Sequence, residues 1–449
     1  MDEENPATLS APRASDIIAA TIGNALEFYD FLIYALFAIQ MGHAFFPAAN
    51  AYVSLMLSLA TFGAGFLTRP IGALVLGAYA DKAGRRPAML LSLVMIGASI
   101  VALAIIPPYA LIGVTAPVLA VLARLVQGFS LGGEVGANTV FLAEVALPER
   151  RAETVSWQGV SQLIALVMGS LVGAALASLL PAGSLDTYGW RIAFLLGAST
   201  VPVGYWLRGH LRETLHEREA DALPAPGRGE ALPAAADEPG RGPRVQRHWR
   251  PIILGVVVIA AGTVGTYILD YTATYAQSTL HLSARTGFLA ALAGFAAGIP
   301  AILLAGRLSD RYGRWPINVC CNFGFLLVIY PVFAWVASAR SATALVWGMV
   351  LLSALSWANF GSFCAAMTEA LPRRIRSRAF GTAYATAIAL FGGTTQLVVT
   401  WLIHVTGSAV APAWYLVGVT AVGQIAYMLF PETAPVRLRA RMAAGSAPA

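Results

Sequence analysis

Apolar residues run through this chain in about twelve stretches near 20 residues long, the length at which a helix crosses roughly 30 Å of hydrocarbon. They lie at 16–40, 52–80, 87–106, 115–146, 153–180, 190–208, 251–278, 286–306, 316–338, 342–370, 377–405 and 411–430. In lipid a spanning backbone must satisfy its own hydrogen bonds, which selects helices over strands. Several stretches exceed 25 residues and have room for a break. Between the sixth and the seventh the pattern stops: 209–250 holds five prolines and many charges, too little apolar surface to fold alone. The expectation is an all-α membrane protein of twelve transmembrane helices in two pseudo-symmetric six-helix bundles, 1–208 and 251–449, joined by a cytoplasmic linker over 209–250.

Arginine placement orients the spans, because short cytoplasmic loops collect basic residues. With the N-terminus inside, 24 of the 29 basic residues fall on the cytoplasmic side and only Arg191, Arg285 and Arg340 on the other, with Arg69 and Arg124 left within spans. Both termini are therefore expected in the cytoplasm. The opening Met1-Asp2-Glu3-Glu4 has no basic n-region, so no cleaved signal peptide is expected.

Composition agrees and removes other classes. The chain has 449 residues, 57% hydrophobic and 12% charged, about half the charge of a soluble protein. Its net charge of +6 does not gather on a soluble face, which argues against nucleic acid. The single lysine, Lys82, is followed by Ala83, so no phosphate-cradling G-x-x-x-x-G-K-[ST] loop exists and a built-in ATPase is excluded. Cys320, Cys321 and Cys364 show no ligand spacing with the six histidines, and no metal or cofactor site follows. Without HExxH, GxSxG or a His/Cys cluster, an enzyme is not expected.

An internal repeat supports two halves. Gly77 to Pro87, with Asp81, Gly84, Arg85 and Arg86, aligns with Gly306 to Pro316, with Asp310, Gly313 and Arg314, displaced by 229 positions. Glu144, Pro148, Arg150 and Arg151 pair more loosely with Glu369, Pro372, Arg373 and Arg374. Parallel six-helix repeats of this kind occur among secondary transporters.

At these residues the chain resembles the major facilitator superfamily, through the G-x-x-x-D-x-x-G-R-R/W-P element of both halves. Gly23-Asn24 to Phe31, Arg69-Pro70-Ile-Gly72, Arg124 to Glu134 and Gly189-Trp190-Arg191 look like its metabolite:proton symporter family. Within that family Thr154-Val-Ser-Trp157-Gln158, Tyr271 to Tyr275 and Leu282 to Arg285 are nearest to bacterial citrate and tricarballylate symporters. Three features depart: the first span reads like the general family, the fourth reads Gly133-Glu134-Val-Gly136 where citrate carriers look less regular, and Trp315 stands where the repeat usually has a second arginine. The resemblance implies a monomer in the lipid bilayer of the bacterial inner membrane that imports a small carboxylate with protons. 2-Oxoglutarate, shikimate and betaine-type solutes are the alternative cargoes.

Charges within spans carry the chemistry, since one at a helix centre costs about 2.5–3.5 kcal/mol on insertion scales and marks a lined cavity. Arg69 precedes Asp81 by 12 residues, which puts it roughly 18 Å above the cytoplasmic end. Its fork suits a substrate carboxylate, or an internal pair with another helix. On the fourth span Arg124, Gln127, Glu134 and Asn138 share an arc of about 80°, and on the first Asn24, Glu27, Asp30 and Tyr34 share about 120°. Arg124 suits substrate or an acid on the first span. Carboxyls in a partly dry cavity can take up and release protons, so Glu27, Asp30 and Glu134 are candidate coupling acids, with Asp270 next. Gln158, Ser161 and Gln162 on the fifth span, and Tyr267, Asp270, Tyr271, Thr274 and Tyr275 on the seventh, suit ligand orientation or bonding between helices. Arg191 opens the sixth span at the outer edge, where the resemblance implies a substrate role and snorkelling is the plainer one. Asp81 with Arg85 and Arg86, and Asp310 with Arg314, are placed to pair across helix ends and gate the cytoplasmic side. Gly128, Gly132 and Gly136, four residues apart, predict close helix packing.

Overall fold

A computed structural model describes residues 14–83, 85–132, 134–181, 183–199, 202 and 249–443. The expected linker lies outside the described residues apart from Trp249 and Arg250, and so do the side chains of Glu27, Asp81, Arg85, Arg86 and Glu134. Every regular element among the described residues is helical, and each of the twelve apolar stretches carries helix. Eight spans are long and apolar enough to cross a bilayer unaided, and Thr21–Leu36 with Ala38–Phe45, bent by 65°, makes a ninth. The remaining three are shorter: Leu90–Ile105, Thr115–Ser130 and, for the sixth, Trp190–Ala198. The architecture is the expected one, twelve spans in two six-helix halves.

The long stretches do contain breaks. The first span breaks at Phe37, the second at Thr68, the fourth at 131–132, the seventh at Tyr271 and the tenth at Asn359. The first and seventh, and the fourth and tenth, are corresponding members of the two halves, whereas the eighth, counterpart of the second, runs unbroken from Ala284 to Tyr312. A broken helix is tolerated at membrane depth only where protein buries it and other groups catch its free carbonyls. Around the seventh-span break, Thr272 Oγ1 donates to Leu269 O at 2.6 Å and Gln396 Nε2 donates to Tyr267 O at 3.3 Å. At their outer ends the second, eighth and tenth spans start on Asn50, Ser283 and Ser341, each accepting from a backbone N–H of the first turn.

Glycines set the closest approaches. A Cβ on Gly128 would overlap the carbonyl of Gly65, and one on Gly132 would overlap that of Arg69, so the second and fourth spans pack backbone to backbone as the spacing predicts. Gly136 meets Gly381 and Gly63 meets Gly393, which brings the two halves together at two levels. The outward faces show Leu74, Leu171, Leu304, Leu327 and Leu390 to the surroundings, as a lipid-facing surface requires. Exposed tryptophans gather near span ends: Trp335, Trp347, Trp401 and Trp414 at one end of the bundle, Trp249 and Trp315 at the other. Indoles prefer that headgroup level.

Candidate functional site

The centre of the molecule is built from two arginines held on aromatic faces. Phe31 and Tyr34 come from the first span, and Phe62, Phe66 and Arg69 from the second, where offsets of four and three residues keep the last three on one side. The Arg69 guanidinium lies 4.3 Å from the Phe31 ring centroid and 4.5 Å from that of Phe66. Arg124 lies 4.4 Å from Phe31, 4.7 Å from Tyr34 and 5.0 Å from Phe62. Cation–π contact stabilises a guanidinium without neutralising it.

Their hydrogen bonding separates the two. Arg124, wholly buried, donates from Nη1 to Gln127 Oε1 at 2.5 Å and to Phe31 O at 3.4 Å, and from Nη2 to Phe62 O at 3.5 Å. Gln127 in turn donates to Asp30 O at 2.8 Å. Arg124 thus clamps the first, second and fourth spans through carbonyls. Arg69 is 5% exposed, and its Nε and Nη2 have no hydrogen-bond partner among the described residues. A buried donor left unpaired costs about 1–3 kcal/mol, more when charged. That fork is ready for an anionic acceptor.

The surroundings supply orienting groups. Asn24 Nδ2 donates to Ser161 Oγ at 2.5 Å, Asn138 Nδ2 donates to Gln158 Oε1, and Gln158 Nε2 is unpartnered among the described residues. Gln162 faces Tyr384 of the eleventh span. From the other half Tyr267 meets Phe66 edge-on at 5.4 Å, and Tyr267 and Tyr384 are phenols in the neighbourhood of Arg69. Arg69, Arg124, Gln158, Gln162 and Tyr267 are therefore in one central region. Asp30 is buried beside it. Tyr271 turns into its own half, where Thr400 Oγ1 donates to its hydroxyl at 2.9 Å. Arg191 stands apart at the outer end, donating to Ala104 O and to Ile106 O and lying over Trp190, so it neither snorkels nor joins the centre. Sequence reasoning missed Phe62, Phe66, Tyr384 and Gln396; the signal for the first two was their register with Arg69.

Contacts join the two halves on either side of this centre. At the end where the fifth and ninth spans begin, the Asp310 carboxylate accepts from the backbone N–H groups of Ala152 and Glu153 at 3.0 and 2.9 Å, the first turn of the fifth span in the other half. A helix N-terminus favours such a charge. Arg314 joins Asp310 and, at 3.0 Å, Glu369, which Arg151 of the first half also reaches at 3.3 Å. Trp315, the departure from the repeat, donates its indole N–H to Met428 O at 3.2 Å, leaving the charge to Arg314. At the opposite end Tyr52 and His404 stack at 3.8 Å, and Phe37 meets Phe288 at 5.0 Å.

Comparison with known proteins places this geometry. A family model described as Major Facilitator Superfamily matches residues 17–394. A citrate-proton symporter of Salmonella typhi is 34% identical over 93% of this chain and 93% of its own, and one of Klebsiella pneumoniae is 35% identical over 91% and 90%. Among solved structures, a D-xylose-proton symporter matches with a TM-score of 0.72 over 94% of this chain and 98% of that one, at 17% identity, a likeness of fold.

Proposed function

The chain belongs to the Major Facilitator Superfamily, and from that premise we propose that it is a proton-coupled symporter importing a small carboxylate such as citrate or tricarballylate by alternating access. The observation that carries the substrate class is Arg69: a buried guanidinium with two unpartnered nitrogens, held on rings that leave its charge intact. The citrate-carrying relatives support the same cargo. A betaine-type cargo would need aromatic faces for its ammonium, and the faces of Phe31 and Phe66 are already occupied by guanidinium.

The bundles 1–208 and 251–449 rock about the central region, with the linker 209–250 and both termini in the cytoplasm of a bacterial cell, and the chain works as a monomer in the inner membrane. Arg69, Gln158, Gln162 and Tyr267 contact substrate; Arg124 fixes the floor on which Arg69 is presented. Glu27, Asp30 and Glu134 are the coupling acids of the first half. Asp81, Arg85 and Arg86 with Asp310 and Arg314 form the cytoplasmic gate.

The test is uptake into proteoliposomes under an imposed proton gradient, with citrate, tricarballylate, 2-oxoglutarate, shikimate and betaine competing. Citrate or tricarballylate should compete best, and accumulation should collapse with a protonophore. Accumulation that follows sodium and ignores pH would overturn the symport reading; preference for betaine would overturn the cargo.

A further inference from the structure

Asp270 is wholly buried, and neither of its carboxyl oxygens has a hydrogen-bond partner among the described residues. It is the last residue of the helix Trp249–Asp270, just before the break at Tyr271. Its direction follows from its neighbours. Three residues earlier, Tyr267 packs on Phe62 and Phe66 of the second span. Three residues later, Ala273 lies against Gly287 of the eighth. Thr272, two residues on and so roughly opposite at 100° per residue, turns inward to Met349 of its own half. Asp270 therefore points between the second and eighth spans, into the junction of the two halves.

An ionised carboxylate buried without a counter-charge is far costlier than a neutral carboxyl in the same place, and the end of a helix adds negative partial charge there. With both Asp270 oxygens out of hydrogen-bond contact among the described residues, the neutral form fits this arrangement. Tyr267, one turn before Asp270, packs edge-on against Phe66, whose ring carries Arg69, so Asp270 is one turn removed from the aromatic cluster that holds Arg69. Ionisable groups on the helices around Asp270 include Tyr271 and Tyr275 on its own span, Glu27, Tyr29, Asp30 and Tyr34 on the first, Tyr52 and Arg69 on the second, Cys364 and Glu369 on the tenth, Tyr384 and His404 on the eleventh with four arginines at 373–378, and Tyr415 and Tyr427 on the twelfth; the eighth carries its charges only toward its two ends.

Resting on the symport reading above, we propose that Asp270 is a proton-binding site in the C-terminal half, and that it and the substrate carboxylate balance the charge of Arg69 in turn. When substrate occupies Arg69, Asp270 takes a proton and the loaded carrier closes without a stray charge. After substrate leaves, the proton departs to the cytoplasm, and the ionised carboxylate balances Arg69 for the return. One group thus makes the loaded transit carry a proton and the empty transit not.

The experiment uses the full chain, wild type, D270N and D270E, purified and reconstituted, with citrate as probe. Infrared spectra at neutral pH should show a protonated-carboxyl band that grows on adding citrate and is lost in D270N. D270N should lose proton-driven citrate accumulation yet keep citrate exchange, and D270E should restore accumulation. Wild-type accumulation by D270N, or an unchanged band in it, overturns the assignment. Should D270N not fold, D270E decides: a band that shifts in frequency supports the site, and one that stays put overturns it. A wild type that accumulates nothing under a proton gradient would instead sink the symport reading, while the band still answers for Asp270.

Discussion

At the scale of single residues, the two central arginines look alike in sequence and differ in what their nitrogens do. Both leave Nε unpartnered among the described residues, but Arg124 spends Nη1 and Nη2 on Gln127 and on the carbonyls of Phe31 and Phe62, whereas Arg69 keeps Nη2 unpartnered as well. The same substitution should therefore read out differently at the two sites. Arg69→Lys should fold and lose affinity, because an ammonium cannot reproduce a planar fork. A lost charged hydrogen bond worth about 1.5–3 kcal/mol corresponds to roughly ten- to hundredfold in the citrate Kd. Titration calorimetry measures it, and unchanged affinity removes Arg69 from the site. Arg124→Lys should instead lower the melting temperature more than Arg69→Lys does, since it unties three spans. Equal thermal shifts would mean that Arg124 is no clamp.

At the scale of elements, magnitudes rank the cytoplasmic contacts. The Arg307–Glu153 bridge is 2.7 Å long but Arg307 is 66% exposed, so it contributes at most about 1 kcal/mol. Arg314 and Asp310 are buried, and removing one member of such a pair costs about 3–5 kcal/mol. Asp310→Asn should accordingly open the cytoplasmic side and reduce uptake, while Arg307→Ala does little. A Ser156→Cys probe at this interface, with the native cysteines replaced, should label faster in Asp310→Asn; an unchanged rate would reduce the motif to a topology signal. Asp81→Asn should likewise reduce uptake without loss of membrane insertion. How far such elements were legible follows from what sequence periodicity encodes. The repeat around Asp81 and Asp310 marked Asp310 and Arg314 as charges at helix ends, and the glycines at 128 and 132 announced a tight crossing, because both are local patterns. That Asp310 caps the fifth span, and that Glu369 rather than Trp315 completes Arg314, depends on which helix ends meet in space. The breaks at Phe37 and Tyr271 were hidden for a similar reason: neither carries a glycine or proline at the break itself, and what sustains them is tertiary bonding to their carbonyls. Span number and both halves were readable because twenty apolar residues admit few alternatives in lipid.

At the scale of the whole molecule, the two halves touch near the cytoplasm through Asp310, Arg151 and Glu369, and near the outer face through Tyr52 and His404. A site with contacts on both sides is useful to a carrier only if the ends open in turn. If the halves move as rigid bodies about the Gly63–Gly393 and Gly136–Gly381 contacts, opening one end strengthens closure of the other. A channel would need no such exchange. The distinction predicts the outcome of locking each end separately. Tyr52→Cys with His404→Cys, joined by a short bifunctional thiol reagent in a background without the native cysteines, should hold the outer end shut and abolish citrate uptake. The locked protein should still bind citrate in detergent, because its site opens to the cytoplasmic side. Glu153→Cys with Arg307→Cys, joined in the same way, should also abolish uptake while admitting citrate from outside. Restoration on cleaving a reducible linker would show that the loss came from the lock and not from the substitutions. Uptake that survives either lock would mean that the halves do not exchange closure, and alternating access would fall together with the gate assigned to Asp310.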